Sequence, residues 1–220
     1  HYPQATFCDF YYNLLEILTH IGHSEKVFNM NRLLIILILT FSYQTLTKAD
    51  DIRDFQIEGM SIGDSLLDFY TEDEIKSFNK KYYAGSKKYY RLINYDKKKS
   101  LKEYNNIMFG IKENDLSYIL NTIVGIIPYK KNIEDCYPKK KNIDYDLSLS
   151  LELTGESYVY DYQNNGGKSN VTDYKISDGF IRTWCTDYSK KREANNLTDH
   201  FGLSLTPSYY MDWISNEAYK

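Results

Sequence analysis

The stretch NNIMFGIKENDLSYILNTIVGIIP, residues 105–128, decides the fold class. Asn105 to Lys112 alternates in polarity and puts Ile107, Phe109 and Ile111 on one side of a strand. Leu116 to Ile127 reads as a second strand with Tyr118, Leu120, Val124 and Ile126 together. Between them, Lys112-Glu113-Asn114-Asp115 supplies a polar connection, and Pro128 ends the run because it cannot donate to a ladder. An antiparallel hairpin is the result.

Working outward, Tyr89–Tyr95 alternates as a preceding strand. Beyond Pro128 the spacing of Ile133, Cys136, Tyr137, Ile143 and Leu147 becomes helical. Pro138 lies inside that helix, so the helix is expected to kink there or to start late. Strands resume at Ser157–Gln163, Ser169–Ser177, Gly179–Tyr188 and His200–Thr206, with turn signals at Asn164-Asn165-Gly166-Gly167 and Asp178-Gly179. Thr206-Pro207 opens a closing helix through Met211 and Ile214. Upstream, Ile57–Leu67 reads as a short strand feeding a helix, with Ser61 and Asp64 as a capping pair. Thr71-Glu72-Asp73-Glu74 is a capping box for a second helix through Phe78. The expected class is α+β: an antiparallel sheet of about six to seven strands, a helix pair at the start, one central helix and a short C-terminal helix. Each half would be a helix followed by a meander, although the residues do not repeat well enough to claim duplication.

The N-terminal segment has a different character. Met30, Asn31 and Arg32 form a short basic start, Leu33–Phe41 is uninterrupted Leu, Ile, Thr and Phe, and Ser42–Lys48 is polar before Ala49. That order is the one a secretory signal peptide needs, and its apolar core falls short of the ~20 residues that span a bilayer. Residues 30–49 are therefore expected to be a signal peptide cleaved between Ala49 and Asp50, with a retained anchor or a buried helix as the alternatives. Residues 1–29, rich in His and poor in Lys, read as translated upstream sequence or a disordered extension. An amphipathic helix around Phe10, Leu14, Leu15, Leu18 and Ile21 is the alternative. Residues 50–220 are expected to form a single α+β domain in a periplasmic or secreted protein.

With 27 Lys+Arg against 30 Asp+Glu, the net charge of −3 excludes a dedicated nucleic-acid binder, which needs a basic excess to neutralise phosphates. Lys97-Lys98-Lys99 and Lys139-Lys140-Lys141 are short and flanked by acids, as solvated loops or helix faces are. The 23 tyrosines accompany many Lys, Asn and Ile residues, the signature of AT-rich codons, and so identify no binding surface by themselves.

Chemistry is sparse. Gly166-Gly167-Lys168-Ser169 lacks the leading glycine of a phosphate loop, since position 162 is Tyr162, and it joins two strands where that loop needs strand then helix. His200 is the single histidine after Asp50, too few ligands for zinc even with Cys136 and Cys185, and no nucleophile elbow occurs around any serine. The acids of 57–74 do not fall at the alternating positions of a calcium loop. No catalytic residue, metal site or cofactor is assigned. Asn170-Val171-Thr172 and Asn196-Leu197-Thr198 match the glycosylation pattern, which matters only in a eukaryotic secretory route. In an oxidising compartment Cys136 and Cys185 are most simply a disulfide, worth roughly 4 kcal/mol in the chain-entropy model; two buried free thiols are the alternative.

The run Asp51–Asp68 (DIRDFQIEGMSIGDSLLD), directly after a signal-like segment, resembles the opening of a family of small uncharacterised exported proteins of free-living marine bacteria with AT-rich genomes. Asn132-Ile133-Glu134-Asp135-Cys136-Tyr137 and Trp184-Cys185-Thr186-Asp187-Tyr188 resemble that family too, in which cysteines recur at both places. The resemblance covers most of residues 50–220 and none of 1–29, and it departs at Pro138, where a continuous helix would stand. It implies export and a cysteine pair and transfers no site. The expected function is thus a non-catalytic periplasmic binding or interaction module, with an envelope protein or small ligand as partner and membrane contact only if residues 33–46 are retained. A periplasmic hydrolase using paired carboxylates is the alternative.

Overall fold

Residues 106–128 form the expected antiparallel hairpin, and the first strand has the alternation expected of it, with Ile107, Phe109 and Ile111 all fully buried. The computed structural model describes residues 51–95, 101–130, 132–151, 155–162, 166–195 and 197–220. Residues 1–29, the signal segment 30–49, the Ala49/Asp50 cleavage position, the Lys97–Lys99 run and the Asn164-Asn165 turn signal lie outside the described residues.

The strands are β1 (Asn79–Tyr82), β2 (Tyr89–Asn94), β3 (Asn106–Lys112), β4 (Leu120–Pro128), β5 (Gly155–Tyr162), β6 (Gly167–Ile176), β7 (Gly179–Tyr188) and β8 (His200–Pro207). They form one antiparallel sheet in the order β1-β2-β3-β4-β8-β7-β6-β5. Each half is a four-stranded meander, and the last strands of the two halves pair at the centre. The class is mixed α+β, but the strand count is eight and the expected six to seven is corrected. The strand missed is β1, sequence NKKY, exposed at every position and paired only with β2. An edge strand that buries nothing carries no apolar alternation to read, and its lysines discourage pairing with another chain.

A second correction concerns β4. The strand starts at Leu120, and its register with β3 shifts so that Gly110 faces Thr122 while Ile111 faces Leu120. The extra residue, Asn121, reverses the parity of the strand. Leu120 and Ile123 therefore share the covered face, whereas Val124 and Ile126 look out on the other. Tyr118, expected beside them, sits in the preceding loop with φ 50°.

The expected helix pair is half formed. The capping box of Thr71 and Glu74 is present and starts α1 (Glu72–Ser77). Ser61–Leu67 instead runs as a loop into a 3-10 turn, Leu66–Asp68, capped by Ser65. Gly63 has φ 94°, and the loop is stitched to β4 by Gly63 N–H to Leu120 O and Leu120 N–H to Asp64 O, both at 2.9 Å. Pairing with a strand end competes with helix formation here and wins. Ahead of it, Ile57 and Met60 form an isolated bridge around Glu58 (φ 56°) and Gly59 (φ 81°), the geometry of a tight primed turn. The Glu58 carboxylate accepts backbone N–H groups of Lys102, Glu103 and Tyr104 at 2.8, 2.6 and 2.9 Å. Burial works to raise its pKa, but these donors outweigh it and hold the carboxyl below its ordinary value.

The central helix α2 (Cys136–Leu151) starts late, after a 3-10 turn at Ile133–Asp135 capped by Asn132. Pro138 is its third residue, inside the first turn, where a missing N–H leaves no intrahelical bond unmade. A short helix not expected from sequence, α3 (Lys190–Glu193), connects β7 to β8. The closing helix α4 (Ser208–Trp213) runs on into a π-turn, Ile214–Ala218.

Residues 51–78 and α2 lie on the same side of the sheet. The former cover β2–β4 with Ile57, Met60, Leu66 and Ile75 and reach β7 and β8 through Ile52; the latter also covers β7 and β8. The opposite face carries a small aromatic core at one end, where Tyr83, Tyr89, Tyr210, Trp213 and Ala218 pack together. The rest of that face forms a trough.

Candidate functional site: a tyrosine-lined trough on the sheet

The polar groups on the covered face are used internally. Cys136 and Cys185 are both fully buried and disulfide-bonded, with their Cα atoms 6.0 Å apart, which ties the first residue of α2 to β7. One turn on, Lys140 is 5% exposed and donates to Asp144 Oδ2 (2.7 Å) and Thr172 Oγ1 (2.5 Å). Asp144 accepts also from Thr183 and Thr172. α2 is thus clamped to β6 and β7 by one covalent bond and one closed ionic network. Every heavy polar atom in that network has a partner, so it serves as a fastener.

The trough occupies the other face, with a volume of about 1210 Å³. Its long wall is built by register. Tyr162 on β5 and Tyr188 on β7 both pair with Gly167 of the strand between them, and because Gly167 has no side chain the two rings meet across it, centroids 5.7 Å apart. Tyr160 adds edge-on to Tyr162 at 5.0 Å, and Tyr188 passes the contact to His200 at 5.8 Å. Trp184 completes the row by lying over Gly202 of β8, where an added Cβ would overlap the indole. Tyr158 and Tyr160 are 38% and 52% exposed, so this aromatic surface is open to solvent.

His200 belongs to this row as a structural group. Trp184 Nε1–H donates to its Nε2 at 3.1 Å, and its Nδ1 lies 2.9 Å from Thr198 O, so Nδ1 carries the proton and the neutral tautomer satisfies both contacts. Burial, opposed by the Thr198 carbonyl, lowers its pKa. Lys168 and Ser169 of the rejected phosphate-loop motif are residues of β6; no helix follows them.

Charge in the trough is one-sided. Its described lining includes Arg91, Arg182 and Lys130 and no Asp or Glu. Arg182 is held by Asp173 through Nε to Oδ1 (2.5 Å) and Nη2 to Oδ2 (2.8 Å), so its charge is met. Among the described residues Arg91 has no such partner: its guanidinium carbon lies 4.5 Å over the Tyr83 ring, and its buried Nε–H makes no hydrogen bond with any of them. Next to it the Tyr83 and Tyr210 hydroxyls share a 3.0 Å hydrogen bond, and burial pushes both phenols up, so both stay neutral. Outside the trough, Asp199 is raised first by burial and then by the charge of Asp187, while accepting the Tyr188 N–H at 2.7 Å.

Sequence reasoning brought out the cysteines and found no surface for the tyrosines. The structure concentrates them: eight of the 30 described lining residues are Tyr, against 23 in the 220-residue chain. A codon bias enriches a residue type everywhere and cannot gather it on one face. The legible signal was Tyr158, Tyr160 and Tyr162 in strict alternation, all on one side of β5. Among the described residues no cluster of His, Cys, Asp and Glu could hold a metal ion, and no helix is long and apolar enough to cross a membrane. No protein-family model, no curated protein and no solved structure matches the chain.

Proposed function

We propose that this protein is an exported, non-catalytic binding module whose uncovered sheet face is the binding surface. The observation that carries the reading is the row of Tyr160, Tyr162, Tyr188 and Trp184, exposed or half-buried, on a sheet whose other face is covered by residues 51–78 and α2. Tyr and Trp offer large, stiff contact area with a polar edge and few rotors to immobilise. Exposed aromatic surface of this extent marks interaction sites on folded proteins. The alternative, a hydrolase with paired carboxylates, finds no acid in the described lining of the trough. The export half of the proposal rests on the signal-like residues 30–49, the resemblance to exported marine bacterial proteins and the Cys136–Cys185 bond, which persists in oxidising compartments.

The chain has two tryptophans, Trp184 in the trough and Trp213 in the aromatic core, so Trp213→Phe leaves Trp184 as a single reporter. A ligand recovered by selection should change Trp184 emission and lose affinity on Tyr160→Ser. A ligand that binds tightly with neither effect uses another surface and refutes the reading. For export, expression from Met30 should give a periplasmic product whose intact mass begins at Asp50.

A further inference from the structure

We infer that the occupant of the trough is a protein that presents a carboxylate side chain to Arg91; this rests on the binding surface proposed above. Arg91 stands on β2 opposite Gly110 of β3, and a Cβ on Gly110 would come within 2.5 Å of Tyr210 Oη. The glycine lets Tyr210 lie close beside the guanidinium, while Tyr83 stacks beneath it. Stacking on a ring compensates a cation only in part. A buried N–H without an acceptor costs free energy in the free protein and is made good by whatever supplies the acceptor. The guanidinium fork matches a carboxylate in two parallel hydrogen bonds, and the phenol whose proton is not used in the Tyr83–Tyr210 bond can donate to the same oxygens.

The lining selects the kind of molecule. A cavity of about 1210 Å³ exceeds the ~300–1,000 Å³ of small-molecule pockets. Tyr, Trp, Met and Arg are the residue types enriched at interface cores, where Asp and Glu are depleted, as they are here. Charge complementarity then requires the acid to come from the partner. The expected partner surface is an extended segment with one Asp or Glu near one end, the acid reaching the Tyr83–Tyr210 end and apolar or aromatic residues several positions along lying on Trp184 and then Tyr160, four and six strands away.

The test is selection of a random twelve-residue peptide library on the full-length protein with its disulfide intact, followed by calorimetric titration of the selected peptides. Selected sequences should share an acid at one position. Asp→Asn or Glu→Gln in the peptide and Arg91→Met in the protein should each weaken binding by roughly 30-fold or more, as truncating one partner of a desolvated pair does, and the two losses should not add. Arg91→Lys, which keeps charge and loses the fork, should recover only part of the affinity. Unchanged far-UV circular dichroism shows that each variant is folded. Peptides lacking a shared acid, or bound equally by Arg91→Met, overturn the inference. If those peptides still need Tyr160, the binding surface stands; if they do not, both proposals fall. Binding of acetate or inorganic phosphate alone that depends on Arg91 and gains nothing from peptide context would make this a free-anion site and also overturn it.

Discussion

Removing the Cys136–Cys185 bond should cost this protein more than any single core truncation in α2. The bond closes a separation of 49 residues. In the chain-entropy model that constraint on the unfolded state is worth about 4 kcal/mol at 25 °C. The native side adds a local consequence. The sequence CYPKKKNIDYDLSLSL has little apolar face, so α2 relies on Ile143, Leu147, the disulfide and the Lys140–Asp144 network for its hold on the sheet. A Cys136→Ala/Cys185→Ala double variant should therefore lose about 4 kcal/mol in urea unfolding, with a melting temperature lower by roughly 8–16 °C for a domain of this size. Wild-type protein in reductant should match the variant within about 1 kcal/mol. Hydrogen exchange should show protection falling first in residues 136–151 and last in β3, β4 and β8 at the centre of the sheet. A loss below about 1 kcal/mol, or uniform loss of protection, would refute the view that the bond fastens the helix.

Lys140→Met should destabilise by about 3–5 kcal/mol in the same assay, because it leaves the Asp144 carboxylate half-buried without its cation. Adding Asp144→Asn should recover part of that loss. Gly202→Ala should cost about 1–3 kcal/mol by forcing the Trp184 indole off the sheet, and should shift Trp184 emission in the Trp213→Phe background. His200 predicts a pH dependence. Burial lowers its folded pKa below an unfolded value of about 6.5, so the unfolded chain binds the proton first. This part of the stability is complete above about pH 6.5 and declines as the pH falls toward the folded pKa. In His200→Phe the melting temperature should fall less than in wild type between pH 7 and pH 5, and an equal fall would show that His200 is not the group responsible.

The parts legible in sequence were those whose pattern is local. Ile107, Phe109 and Ile111 alternate because one face of β3 is buried, and Thr71 with Glu74 forms a cap because both partners lie within one turn. β1 was not legible because an exposed edge strand needs no apolar residues. Ser61–Leu67 was misread because its helix signal is local while the bonds to Leu120 that hold it as a loop come from residues far along the chain. The parity of β4 was misread for a related reason: one bulged residue, Asn121, moves Val124 and Ile126 to the opposite face, and no periodicity marks it.

The trough shows the same division. Sequence by itself determined the antiparallel α+β class, the alternation that puts Tyr158, Tyr160 and Tyr162 on one side of a strand, and two cysteines available to pair. Only the tertiary structure decided that those tyrosines meet Tyr188 across Gly167, that Arg182 has a carboxylate while Arg91 has none among the described residues, and that residues 51–78 and α2 cover one face of the sheet while the tyrosines line the other. Strand period is a property of neighbours in the chain. Which rings touch, and which charges find partners, depends on the order in which eight strands pair, and that order is settled by contacts between residues distant in sequence.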